Sequence, residues 1–219
     1  MKKLSIILIL PFILTGCLNY YQEVKLAIDG SGSMHIDYWM LLPDAESASV
    51  VSKIGIFTPD SIKKEFTSEY SIVENVVVYQ DTTDSTTHAV LDLTFTHIDS
   101  LNKTKAFSDA QFSFKEGAAG HIVFSQFIPP LATGFGIDGS AYYVSYQYTF
   151  AGDIITHNAH TSSGRTLTWL YALSEIGGGK TISVTFRPFK LKETPAWIFI
   201  LSGFVLLLVI FFLFRKKNS

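Results

Sequence analysis

The sequence predicts an α+β fold: mainly antiparallel β-sheet with two or three short helices on one face, plus one C-terminal transmembrane helix. Three observations lead there. Apolar and polar residues alternate with period two over most of the chain. Helical spacing is confined to short stretches that follow the first strands. A charge-free apolar run stands near the C-terminus.

The elements follow in order. Val24, Leu26 and Ile28 alternate with Glu23, Lys25 and Ala27, which predicts a strand with one wet face. Met34, Ile36, Tyr38 and Met40 repeat the pattern across His35 and Asp37. Pro43-Asp44 opens a candidate helix with Val50, Val51 and Ile54 at helical spacing. Thr58-Pro59-Asp60 starts another: Thr as N-cap, Pro at the first helical position, Asp at the positive end of the dipole. Its Ile62 and Phe66 are expected to face the core. Ile72 to Tyr79 is a Val-rich strand, and Ala89 to Thr96 alternates cleanly. Asp99 to Ala106 predicts a turn of helix. Phe112-Ser113-Phe114, a Glu116-Gly117 turn and His121 to Phe127 predict a hairpin. Tyr142 to Phe150 (YYVSYQYTF) is an aromatic strand, followed by strands at Ile154 to His157, Thr166 to Tyr171 and Thr181 to Phe186.

The two ends carry targeting information. Lys2 and Lys3, an apolar run from Leu4 to Leu14, and Leu14-Thr15-Gly16-Cys17 have the order of a secretory signal. The last four residues resemble the bacterial lipobox, whose Cys is lipidated and becomes the mature N-terminus. An ordinary cleaved signal with an incidental Cys is the alternative. Cys17 is the only cysteine, so no intrachain disulfide forms. Ala196 to Phe214 carries no charge, Trp197 stands at one end, and Arg215, Lys216 and Lys217 close the other. The predicted organisation is a lipoprotein signal peptide over 1–16, an extracytoplasmic α+β domain over 17–194, a transmembrane helix over 195–214 and a basic cytoplasmic tail over 215–219. It places the chain on the bacterial cytoplasmic membrane, with palmitate or a similar acyl chain on Cys17 and the lipid bilayer as a partner.

The middle of the chain has about 175 residues, enough for one domain with a sizeable core. The formal charge of −2 and the lack of a polybasic stretch outside the two ends argue against a nucleic-acid partner. With 18 Phe and 10 Tyr, the aromatic content is high.

One motif suggests a metal. Asp29-Gly30-Ser31-Gly32-Ser33 matches the D-x-S-x-S site of von Willebrand factor A domains, in which a carboxylate and two hydroxyls hold Mg²⁺. Such a site needs an apolar central strand before it and a helix after it. Here both flanks alternate with period two, the pattern of a β-hairpin around a Gly-rich turn. The hairpin is the preferred reading, and a metal site at Asp29, Ser31 and Ser33 is the alternative. A second Asp-Gly-Ser starts at Asp138, beside Gly134 and Gly136, and reads as a loop.

The overall plan resembles the LppM-type bacterial membrane lipoproteins. The resemblance is carried by Cys17, Tyr20, Asp29 to Gly32, the stretch Gly164-Arg165-Thr166-Leu167-Thr168-Trp169, and Ala196 to Lys217. It implies an anchored extracytoplasmic domain that binds lipid or another apolar ligand, and it brings no catalytic residues.

Other candidates for chemistry are sparse. His157, Asn158 and His160 cluster in a predicted loop without nearby Cys or carboxylates, which is a weak metal signal. Gly177-Gly178-Gly179-Lys180 lacks phosphate-loop spacing and reads as a turn before Thr181. Tyr142 to Phe150 either lines an apolar ligand cavity or packs as core through Tyr142, Val144, Tyr146 and Tyr148; core is preferred. The expectation is therefore a non-catalytic envelope lipoprotein that binds or scaffolds, with no cofactor and with a lipid or an envelope protein as ligand. Mg²⁺-dependent adhesion is the alternative, and a hydrolase using His157 or His160 is a third class.

Overall fold

Period-two alternation becomes two β-sheets packed face to face. The computed structural model describes residues 18–42, 49, 51–53, 55–130, 139–189 and 196–216, with side chains from 197 to 210 in the last stretch. The chain divides into two units, Met1–Phe189 and Lys190–Ser219.

The larger sheet has seven strands: β1 (Leu18–Leu26), β2 (Gly32–Leu41), β3 (Ser71–Asp81), β4 (Thr86–Phe95), β7 (Tyr143–Phe150), β9 (Thr161–Ser163) and β10 (Thr166–Ala172). Their order is β3-β4-β2-β1-β7-β10-β9. The smaller sheet has β5 (Ser113–Glu116), β6 (Ile122–Ile128), β8 (Gly152–His157) and β11 (Lys180–Pro188), in the order β5-β6-β11-β8. Among the described pairings only β1 with β7 is parallel.

Alternation decides which residues meet between the layers. Val24, Met34, Ile36, Leu91, Leu93, Tyr148, Phe150 and Trp169 point inward from the large sheet and are buried. Phe124, Ile128, Ile182, Val184 and Phe186 answer from the small one. Phe124 lies 4.9 Å from Tyr148 and Phe150 lies 5.0 Å from Phe186, centroid to centroid. Each such buried side chain is worth ~1.5–3 kcal/mol of transfer free energy.

A buried polar chain crosses the same layer. Gln22 Nε2 donates to Tyr148 Oη at 2.9 Å, and Tyr148 Oη donates to Gln126 Oε1 at 2.5 Å. Tyr20 Oη donates to Gln22 Oε1 at 2.7 Å. Burial pushes the Tyr20, Tyr146 and Tyr148 phenols well above their ordinary range. They therefore stay neutral, and those of Tyr20 and Tyr148 serve as hydrogen-bonding groups.

The helices are short. α1 (Pro59–Phe66) begins where Thr58-Pro59-Asp60 predicts and buries Ile62; the Thr58 side chain makes no cap bond. Two 3-10 turns, Ile98–Lys103 and Lys105–Phe107, occupy the Asp99 to Ala106 segment and bury Ile98, Leu101 and Phe107. α2 (Leu173–Ile176) is a single turn ahead of β11. Of the candidate helix after Pro43-Asp44, Val51 to Lys53 are helical and Val51 is buried, whereas Pro43, Asp44, Val50 and Ile54 lie outside the described residues.

The structure corrects the predicted fold class. The α+β character and the mostly antiparallel pairing hold, but the β-structure forms two sheets. The membrane-spanning element is not sustained: among the described residues no helix is long and apolar enough to cross a membrane. α3 (Ala196–Lys216) has described side chains only from Trp197 to Ile210.

Candidate functional site on the outer sheet face

The Asp29 motif is a hairpin tip. β1 and β2 pair antiparallel from Leu18 with Met40 to Leu26 with Gly32. Between them the Ala27 N–H donates to Ser31 O at 2.8 Å and the Gly30 N–H to Ala27 O at 3.2 Å. Asp29 Oδ1 accepts from the Ser31 N–H at 3.0 Å and from Ser31 Oγ at 2.6 Å. These bonds hold the Asp29 carboxyl below the usual carboxylate range. Gly30 has a φ of +81°, and a Cβ there would stand 2.6 Å from the His97 ring, so the turn requires glycine. Ser33 is a strand residue opposite Lys25, and strand β2 continues where an A-domain would place a helix. The geometry is that of an Asx turn. Among the described residues no group of three His, Cys, Asp or Glu is placed to hold a metal ion. Cys17, Asp138, Gly134 and Gly136 lie outside the described residues.

The other predicted residues are also structural. Asn158 ties its loop to two strands, β10 and β11: its Nδ2 donates to Thr181 O at 2.7 Å, and its Oδ1 accepts from Trp169 Nε1 and from the Ser183 N–H, each at 2.9 Å. His157 Nδ1 accepts from the Ala159 N–H at 3.1 Å and His160 Nδ1 from the Leu170 N–H at 3.0 Å. Among the described residues these histidines are not joined to a carboxylate. Lys180 opens β11 after a turn in which Gly177 and Gly179 have positive φ. Val144, Tyr146 and Tyr148 are core, as preferred, and Tyr142 is partly buried against it, while Tyr143 faces outward and is 46% exposed.

With one face of the large sheet buried, the candidate site lies on its opposite face. There the second phase of the alternation forms rows across the strands. One row runs Asn75, Asp92, His35, Glu23, Gln147, Thr168. His35 Nδ1 and Asp92 Oδ1 are 2.7 Å apart, and Tyr21 Oη donates to Glu23 at 3.3 Å. Asn75, Asp92, His35 and Glu23 of this row line an open cleft of about 470 Å³ bounded also by Lys25 and Glu74. A bulge between Val73 and Asn75 pushes Glu74 to its rim. A smaller cleft of about 180 Å³ lies between α1 and β3, lined by Pro59, Lys63, Glu74 and Val76.

A second row runs Tyr79, His88, Trp39, Asn19. The His88 ring stacks between Tyr79, 4.9 Å away at 8°, and Trp39, 5.3 Å away at 9°. Its Nδ1 lies 3.1 Å from Asp37 Oδ1 and its Nε2 lies 3.0 Å from Thr86 Oγ1. Asp, His and a hydroxyl in that order look like a nucleophilic triad. The hydroxyl, however, donates to Asp84 Oδ1 at 2.6 Å, a shorter bond to a charged acceptor. That bond and the Thr86 N–H hold Asp84 below the usual carboxylate range. The Thr86 proton is directed away from His88, so the arrangement fixes the ring stack and does not activate a nucleophile.

None of these outer-face residues stands out by motif. Their signal in the sequence is the polar phase of the alternation: His35, Asp37 and Trp39 in β2, and His88 and Asp92 in β4.

No family model and no curated protein sequence matches the chain. Among solved structures it is similar to the folded domain of the LppM protein of Mycobacterium tuberculosis, determined by NMR. The identity is 13%, the match covers 79% of this chain and 91% of that one, and the TM-score is 0.46.

Proposed function

We propose that this chain is an acylated lipoprotein of the bacterial envelope whose β domain is a non-catalytic binding or scaffolding module. The observation that carries the reading is the contrast between the two faces of the large sheet. One face is buried and rich in aromatic side chains; the other is uncovered among the described residues, bears Tyr21, Trp39 and Tyr79, and holds an open cleft at His35 and Asp92. A ligand meets this domain on its surface. The lipobox at Leu14 to Cys17 supports export and acylation, and the hydrogen bonding of Thr86, His157 and His160 supports a non-catalytic role.

The test is a photo-crosslinking scan in intact cells. A photoreactive residue replaces Val77 or Gln147 on the outer face, and in separate strains Val123 or Ile155, which are exposed on the small sheet. Adducts, lipid or protein, are expected from Val77 and Gln147 and not from the other two. Adducts confined to Val123 or Ile155 would overturn the assignment of the face.

A further inference from the structure

The outer face of the large sheet is graded along the strand direction. Five rows can be followed from the end where β1 begins. The first holds Asp81, Thr86 and Leu41. The second holds Tyr79, His88, Trp39 and Asn19, with Tyr143 beside Asn19, whose Oδ1 accepts the Tyr143 N–H at 3.0 Å. Next come Val77, Val90, Asp37, Tyr21, Ser145 and Leu170. The Asp92 and Glu23 row follows, and the last contains Thr94, Ser33, Lys25, Thr149 and Thr166. Apolar and aromatic side chains are concentrated in the first three rows. Leu41, Val77, Tyr79, Tyr143 and Leu170 are each 44–50% exposed there. The fourth and fifth rows carry Glu23, Lys25, His35 and Asp92 with Ser, Thr and Gln; their one exposed large apolar side chain among the described residues is Ile72, opposite Thr94 on β3 at the sheet's edge.

The direction of this gradient matters because of where the chain enters the sheet. Leu18, the first residue of β1, directly follows Cys17. Asn19 is two residues from Cys17, roughly 7 Å along an extended strand, and Tyr79 stands three strands across, about 14 Å further. An acyl chain on Cys17 enters the bilayer with no spacer, so the second row lies at the level of the headgroups. Trp and Tyr suit that zone, with an apolar ring and a polar tip.

We infer that the Leu41, Trp39, Tyr79, Tyr143 and Leu170 end of the sheet is a second membrane contact, seated in the headgroup layer beside the acylated Cys17. The inference rests on the lipoprotein reading above and deepens it by naming the surface that meets the bilayer. One acyl chain binds a membrane only marginally, and a second contact converts a tether into a fixed orientation. The charges at this end select the surface. Asp37, Asp81 and Asp84 stand in or beside the first three rows, with His88 as the titratable group among them. That set fits zwitterionic headgroups and disfavours anionic ones.

The test uses the full acylated chain in phosphatidylcholine vesicles, with Cys17 blocked by its lipid and nitroxide labels on introduced cysteines. Labels at Leu41→Cys and Leu170→Cys are expected to lose several-fold in collision rate with a water-soluble nickel chelate, relative to labels at Lys25→Cys and Thr94→Cys. Equal rates at the two ends would overturn the contact. Adding phosphatidylglycerol is expected to weaken the shielding, and a stronger contact would overturn the headgroup assignment. Tyr143→Ser combined with Leu170→Ser changes only exposed side chains and is expected to release the Leu41 label into water; unchanged shielding would count against the row. The anchoring reading is scored separately, by mass. A chain without acyl at Cys17 overturns that reading, and the label at Leu41 still decides the row.

Discussion

Asp29 shows how one residue type serves different chemistry in different surroundings. Its carboxylate accepts two hydrogen bonds from Ser31, which would have been a metal ligand in an A-domain. Asp29→Ala is expected to cost about 1 kcal/mol in urea unfolding, the scale of an ordinary hydrogen bond. Mg²⁺ is expected to leave the melting temperature of the wild type unchanged. Because the folded carboxyl titrates below its unfolded value, the contribution is present above the unfolded pKa and fades as pH falls through the folded one. Asp99 is the opposite case. Its Oδ1 is buried without a hydrogen-bond partner, and burial raises its pKa. The folded state then binds the proton more tightly than the unfolded state, so stability declines as pH rises through the carboxylate range. Asp99→Asn is expected to raise the melting temperature at neutral pH, with the gain shrinking in acid; a uniform gain at all pH values would refute the assignment.

At the level of elements, strand positions were legible because the domain is half-wet on each sheet. Alternation in Met34 to Met40 and in Leu91 to Phe95 reports one buried face, and the structure buries that phase. The pairing of strands far apart in sequence was not legible. Nothing local in Tyr20 to Leu26 says that it lies parallel to Val144 to Phe150, or that Gln22 meets Tyr148 and Gln126. β9 was missed for a related reason: Thr161 to Ser163 is short and fully exposed, with no apolar phase to detect. The Asn158 contacts hid likewise, because a polar loop residue gives no sign that its partner is the indole of a core Trp169. Two substitutions probe these links. Tyr148→Phe leaves the Gln22 amide and the Gln126 carbonyl buried without their shared hydroxyl, an expected loss of ~1–3 kcal/mol by chemical denaturation. Asn158→Ala frees Trp169 Nε1 and the Ser183 N–H and is expected to destabilise by ~1–3 kcal/mol, with a change in tryptophan emission.

For the whole molecule, the question is which way the domain faces. The hairpin tip at Asp29 and the start of β1 at Leu18 lie at opposite ends of the same strand. The outer face therefore has one end next to Cys17, rich in aromatic side chains, and one end far from it, rich in hydroxyls and charge. The lipobox resemblance at Leu14 to Cys17 is read from the linear sequence alone and needs no fold. The gradient became visible only once strands β3, β4, β2, β1, β7 and β10 were laid side by side. The central claim is that Cys17 is the acylated mature N-terminus. The direct measurement is the intact mass of the chain extracted from cell membranes, beside a Cys17→Ala variant. The account predicts a wild-type chain that begins at Cys17 and carries acyl mass, and a variant that keeps residues 1–16 without it. A wild-type chain with a free Cys17 thiol, or one that retains residues 1–16, would contradict the account.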